Sequence, residues 1–404
     1  MSDPAKTAVI LKGGARTPIG RFLGGLSTFS APDLGAIAVR AAVERAGIDV
    51  NDIDEVIIGN VVTAGAGQAP ARQAAVKGGI PPTTPALTVN KVCGSGLKAV
   101  MLAAQAVRAG DVRLAVAGGM ESMSNVPYYA RGMRGGVKFG NQTLEDGLLH
   151  DGLWCSFGDC HMGGHAEYTA QKADVSRADA DAFSLRSHEK ALAAIEAGLF
   201  RNEIVPVEVT SRRGVKVVDT DEGPRADTSL DVLGKLRPAF VRDAPDDIKE
   251  HVVTAGNAPG LNDGGAAVVV ASLEYAHAHG LEIDAVISGY AAGGTEPQDL
   301  FFAPIAAVRN LMAKEGKVIG DYGMFEVNEA FAVQAIADMR ALEMDEARVN
   351  VHGGAVALGH PIGASGTRIL ITLLNALEHQ DASTGLATLC LGGGNAVALS
   401  VEKV

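Results

Sequence analysis

A chain of 404 residues, 47% hydrophobic and 20% charged, carries enough apolar material for a large core and about two or three domains, which excludes a disordered or minimal protein. Its formal net charge of −12 supplies no positive field to displace counterions, so nonspecific nucleic-acid binding is excluded. Four cysteines, Cys93, Cys155, Cys160 and Cys390, are too few for a disulfide framework and point to a reducing compartment.

The opening MSDPAKTAVILKGG lacks a basic stretch followed by a long apolar one, and nowhere do about eighteen apolar residues run uninterrupted. The expectation is a soluble cytoplasmic protein with no membrane partner. A helical stretch from Asp33 to Ala46 ends at Gly47, a strand-like DEVIIGN ends at Asn60, and an apolar approach from Pro85 to Val92 leads into CGSG. That turn opens a helix through Ala109, followed by the strand RLAVAGG.

Near the other end the order repeats. A helix from Ile305 to Glu315 ends at Gly316, MFEVN ends at Asn328, and GASG opens a helix followed by the strand LATLCLGGG. Alternating strands and helices, present twice, predict a duplicated α/β architecture with largely parallel sheets covered on their faces. Between the copies, from about Asn125 to Val253, the periodicity weakens except for an amphipathic helix near Arg177 to Gly198. Two basic clusters lie here, Arg131, Arg134 and Lys138, then Arg212, Arg213 and Lys216; each fits an anion contact or plain solvated charge. HVVTAGNAPGLNDGGAAVVVAS then returns to a strand, a turn, and a helix or strand belonging with the first copy.

Three segments carry chemistry. Cys93, in NKVCGSG, sits where a strand meets a helix N-terminus, whose partial positive charge favours thiolate over thiol. Its flanking glycines leave backbone N–H groups open to an oxyanion. Alone, it fits equally a small buried residue in a tight turn. His360, in HGGAVALGHPIGASG, precedes a proline and is framed by glycines, so its ring is approachable as a proton acceptor for a thiol. His352 in the same segment gives only a weak metal-pair geometry. Cys390 ends a buried strand before three glycines, presented at a sheet edge either as a redox partner or as an acid/base toward a carbon acid. With no C-x-x-C in the chain, proton transfer is favoured.

Together with VNEAFA at 327–332 and TAGNAPGLNDG at 254–264, these motifs resemble the thiolases over essentially the whole chain. RGGVKFG and CHMGG make the likeness one to short-chain, biosynthetic-type acetyl-CoA acetyltransferases. The resemblance implies two α/β halves in a five-layered αβαβα arrangement, with residues 1–124 and 250–275 as the N-terminal half, 125–249 as an inserted loop domain, and 276–404 as the C-terminal half. It implies Cys93 as the acylated nucleophile, His360 as its activator and Cys390 as the acid/base at the α-carbon. Asn328 would hold a water for one oxyanion hole, and the N–H groups of Cys93 and Gly392 would form the other.

For CoA the matching positions are Leu153, His161, Met162, Arg225, Phe240, Ala255, Gly260, Ala330 and Phe331. The implied substrates are acetyl-CoA, acetoacetyl-CoA and CoA, with no metal or other cofactor, in lipid metabolism and in a homotetramer joined near residues 125 to 145. Pro259 departs from the family's frequent serine and removes a hydroxyl and a backbone donor. Between Val241 and His251 there are extra, mostly acidic residues. The alternatives are a broader-chain 3-ketoacyl-CoA thiolase of fatty-acid degradation and a non-catalytic lipid carrier or scaffold of the same fold.

Overall fold

The computed structural model describes residues 3–212 and 214–404, so Arg213 lies outside the described residues. The N-terminal elements are β1 (Ala8–Leu11), α1 (Ala31–Ala46), β2 (Glu55–Gly59), α2 (Pro70–Lys77), β3 (Ala86–Val89), α3 (Ser95–Ala109) and β4 (Leu114–Ser122). Ser30 caps α1 in a capping box with Asp33, and Gly47 ends it in the left-handed region. These local signals are why the expected helix is found within two residues of its expected bounds.

An irregular stretch follows, holding α4 (Met162–Lys172), α5 (Arg177–Glu196) and a hairpin of Val207–Ser211 with Gly214–Val218. The chain then forms β5 (Asn262–Ser272), β6 (Ile283–Gly294), α6 (Ala303–Glu315), β7 (Met324–Val327), α7 (Ala332–Leu342), α8 (Ser365–His379), β8 (Thr384–Leu391) and β9 (Asn395–Lys403). HVVT at 251–254 is not a strand; only an isolated Pro238–Thr254 bridge forms there.

The main strands join one sheet in the order β7-β8-β9-β6-β1-β5-β4-β2-β3. The duplication is visible about the antiparallel β1·β6 pair: β2, β4, β5 and β1 on one side answer to β7, β8, β9 and β6 on the other. The expectation of largely parallel sheets is corrected. Only β2·β3, β2·β4 and β7·β8 are parallel. The reason is local at one end, where Gly392–Gly394 joins β8 to β9 with Leu391 opposite Asn395. A three-residue link makes a hairpin and cannot make a parallel crossover.

Strand alternation builds the layers. In β4, Ala115 and Ala117 face a core shared with α3, α8, β8 and β9, while Leu114 and Val116 face a second core under α1 and α2. A third core packs α6 and α7 on Phe325, Val327 and Leu386, and extends to α4 and α5. The two sides of the sheet thus enclose α3 and α8 and carry helices outside, giving five layers. Close approach at the centre needs a missing side chain: a Cβ on Gly119 of β4 would lie 2.0 Å from the Gly363 carbonyl oxygen. That contact sets the loop carrying His360 directly on the end of β4.

Candidate active site

Cys93 sits in a strained turn immediately before α3. Val92 has φ 47°, a left-handed conformation that a β-branched residue adopts only when its surroundings enforce it. Here Val92 N–H donates to Asn90 Oδ1 (3.0 Å), the Ser95 hydroxyl donates to Val92 O (2.6 Å), and Lys91 N–H donates to Ser95 Oγ (2.9 Å). The turn is therefore clamped from both sides. Gly94 completes it, because a Cβ there would lie 2.2 Å from Leu391. Its absence lets the end of β8, with Cys390, close onto Cys93.

The backbone N–H groups of Cys93 and Gly392 favour the ionised form of the Cys93 sulfur. They do not leave it ionised. Burial pushes the Cys93 thiol up to about 12, with the Glu121 carboxyl adding to the rise. The helix end favours the thiolate, as expected of its partial charge, but although the half-buried residue opens onto a cavity, loss of hydration outweighs the helix end and the two N–H donors. Alkylation of the free protein at Cys93 by iodoacetamide should accordingly quicken about tenfold per pH unit through neutral and mildly alkaline pH. A rate that levels off near neutrality would show a stored thiolate and contradict this.

His360 follows the short helix Ala355–Leu358 and Gly359, and its N–H donates to Asn262 Oδ1 (2.9 Å). Its Nδ1 lies 2.6 Å from Ser365 Oγ, while that hydroxyl donates to Pro361 O (2.9 Å). A hydroxyl whose proton is committed to a carbonyl can only accept from the ring, which assigns the imidazole proton to Nδ1. The Nε2 lone pair has no hydrogen-bond partner among the described residues. Burial, then Arg368, lowers the ring to about 3, so His360 is neutral at rest.

Cys390 lies at the end of β8, in the sheet interior between β7 and β9, not at the expected sheet edge. Burial raises its thiol well above the ordinary range, and the neighbouring Cys93 and Asp338 raise it further. Asn328 is fully buried, and neither its Oδ1 nor its Nδ2 has a hydrogen-bond partner among the described residues. The next residue, Glu329, accepts from Ser187 Oγ, Asn350 Nδ2 and Val356 N–H, so the 328–331 loop is tied to the helix that precedes His360.

These residues meet around a cavity of about 440 Å³. Cys93, His360, Cys390 and Gly392 line it, as do Leu153, His161, Met162, Phe240, Gly260, Ala330 and Phe331. Asn328 is not one of the lining residues. Arg225 and Ala255 are exposed and outside it. His161 stacks on Phe240 with ring centroids 4.6 Å apart, and its Nδ1 accepts from Gly163 N–H (2.9 Å). The acidic insertion has a structural part here, since Asp243 Oδ1 accepts from His161 N–H (3.2 Å).

Of the basic clusters, the described residues Arg131, Arg134, Lys138, Arg212 and Lys216 do not line the cavity. Arg131 is instead paired with Glu145 at 2.7 Å. His352 stands beside His379, ring centroids 5.3 Å apart, and among the described residues no group of His, Cys, Asp or Glu is arranged to hold a metal.

Two positioning groups escape sequence reasoning. Glu121 is buried at the end of β4 and accepts from Val61 N–H, Val62 N–H, Gly363 N–H and Asn60 Nδ2. It binds the β2 loop to the His360 loop; burial pushes it up to about 8 against those donors. Ser365 orients His360. The only signals were a carboxylate in an otherwise apolar strand, and the serine of GASG, noticed only as a helix opener.

With this geometry in hand, two family models account for nearly the whole chain: the thiolase N-terminal domain matches residues 9–274 and the thiolase C-terminal domain residues 281–403. The chain belongs to the thiolase family. Among curated thiolases, an acetyl-CoA acetyltransferase of Pseudomonas aeruginosa is 50% identical over 98% of this chain and 99% of that protein. One of the same name from Paracoccus denitrificans is 50% identical over 98% of this chain and all of that protein. A probable acetyl-CoA acyltransferase of Staphylococcus epidermidis is 48% identical, covering 98% of each. Among the described residues of this thiolase, no helix is long and apolar enough to cross a membrane.

Proposed function

We propose that this thiolase is an acetyl-CoA C-acetyltransferase, interconverting two acetyl-CoA with acetoacetyl-CoA and CoA. The observation that carries the reading is the convergence of Cys93, His360 and Cys390 on one apolar cavity, supported by full-length relatives bearing that name. The buried rings of Phe301 and Phe331, 5.3 Å apart in the same wall, favour a short acyl group over the broader-chain alternative.

The proton inventory dictates the steps. Cys93 and Cys390 begin as thiols and His360 as a neutral ring. As Cys93 sulfur attacks the acetyl-CoA carbonyl, its proton passes to His360 Nε2, and the N–H groups of Cys93 and Gly392 stabilise the oxyanion. The C–S bond to CoA breaks, and Cys390 gives its proton to the departing thiolate. Cys390 is now a thiolate, and its raised proton affinity makes it a strong base for the α-proton of a second acetyl-CoA. The carbanion attacks the Cys93 thioester, acetoacetyl-CoA leaves, and the imidazolium returns its proton to Cys93. While charged, His360 donates to the enolate oxygen beside a water held by Asn328, whose buried amide atoms lack partners among the described residues. No metal or redox group enters this balance, because the thioester itself acidifies the α-carbon.

Thiolysis of acetoacetyl-CoA should exceed that of a long-chain 3-ketoacyl-CoA by at least about tenfold in kcat/KM. Faster cleavage of the long chain would overturn the short-chain assignment. A cytoplasmic homotetramer belongs to the same proposal, supported by exposed Met133, Val137, Phe139 and Leu144 in the 125–145 region. Light scattering is expected to give four times the chain mass, and a monomer would contradict it.

A further inference from the structure

The hairpin that walls one side of the cavity carries two thiols that thioester chemistry leaves unused. Trp154–Cys155 and Cys160–His161 pair antiparallel, with Cys155 directly opposite Cys160. Opposed residues in such a ladder have Cα atoms about 4.5–5.5 Å apart with side chains on one face, inside the range a disulfide spans. The two sulfurs share a neighbour. Gly158 N–H donates to Cys155 Sγ (3.3 Å), and a Cβ built on Gly158 would lie 3.4 Å from Cys160 Sγ. Both cysteines are free; Cys155 is buried and Cys160 is reachable from solvent.

We propose that Cys155 and Cys160 form a reversible disulfide, a redox modification site in the cavity wall closed by a small-molecule disulfide such as oxidised glutathione. The Cys160 thiolate attacks one glutathione sulfur, breaking the S–S bond and releasing one glutathione thiolate, which takes a proton. The Cys155 thiolate then attacks Cys160 sulfur in the mixed disulfide and releases the second glutathione. The protein loses two electrons and two protons, and the glutathione disulfide gains them. Burial, with Cys155, Asp243 and Asp159 nearby, pushes Cys160 up to about 11, so the exchange quickens as pH rises.

Closing the bond takes Cys155 Sγ away from Gly158 N–H and re-forms the turn Ser156–Asp159, of which Ser156 and Phe157 line the cavity. If the cavity takes CoA thioesters, as proposed above, oxidation raises KM for acetoacetyl-CoA by about threefold and leaves kcat unchanged, the mark of lost ground-state binding.

The full-length protein is incubated with oxidised glutathione, alkylated with iodoacetamide and digested with trypsin. Residues 139–172 emerge as one peptide containing Cys155 and Cys160 and neither Cys93 nor Cys390. The expected result is loss of two hydrogens from this peptide, reversed by dithiothreitol, with Cys93 still open to alkylation; a Cys160→Ser variant loses none and keeps its KM. Alkylation of both thiols, glutathione persisting on Cys160, or a bond between Cys93 and Cys390 instead would overturn the site. A closed disulfide with unchanged KM would overturn its control of the cavity. The mass readout is independent of turnover, so failure of the acetyltransferase reading would leave it standing.

Discussion

Replacing Cys93 with alanine is expected to lower kcat for thiolysis by at least about 10⁴-fold, or about 5.4 kcal/mol of transition-state stabilisation. The loss is large because no neighbour can substitute. Cys390 and Cys155 are further thiols lining the cavity, but the N–H groups of Cys93 and Gly392 favour the sulfur at position 93, so a carbonyl attacked elsewhere forfeits those donors. The structural cost should be small, since Cys93 is half-buried and its turn is held by Asn90 and Ser95 through hydrogen bonds that do not involve its side chain. Steady-state rates alongside a urea midpoint separate the two effects. A variant that keeps more than about 1% of wild-type kcat would sink the nucleophile assignment.

Cys390→Ala is expected to split the reaction into halves. Condensation and exchange of the acetyl-CoA α-hydrogen with deuterated water should fall by about 10²- to 10⁴-fold, the range of a lost general base. Transfer of the first acetyl group to the protein should persist, more slowly, with solvent in place of Cys390 as the proton source for departing CoA. Placement makes Cys390 the base, since it is held at the end of an interior strand beside Cys93, and Gly94 permits that approach only because it has no side chain. Unchanged α-hydrogen exchange in this variant would move the base elsewhere. Loss of both halves together would mean that the substitution had collapsed the cavity.

The parts of this site that lie within short segments were legible in the chain. Cys93 with its glycines, His360 before Pro361, and Cys390 before Gly392 each carry their chemistry in a few neighbouring residues, and the glycines at 47 and 316 end the outer helices locally. What sequence could not yield is set by partners distant along the chain. Glu121 meets Gly363, and Asn262 meets His360, across more than ninety residues in each case. The resting charge of Cys93 belongs with these: the pull of the helix end toward thiolate is local, whereas the burial that outweighs it comes only with the fold. Strand direction failed differently. The repeat announced alternating strands and helices, but β5 and β9 return antiparallel beside β4 and β8; β9 does so through three glycines alone, and β5 only after the long 123–261 stretch, whose sequence carries no mark of strand direction.

Intact-mass analysis of the Cys390→Ala protein mixed with acetyl-CoA, followed by peptide mapping, puts the central claim under the most direct strain. The account predicts a single acetyl group on the peptide containing Cys93, removed by added CoA. A protein that takes up no acetyl group, or carries it on any other residue, would contradict it.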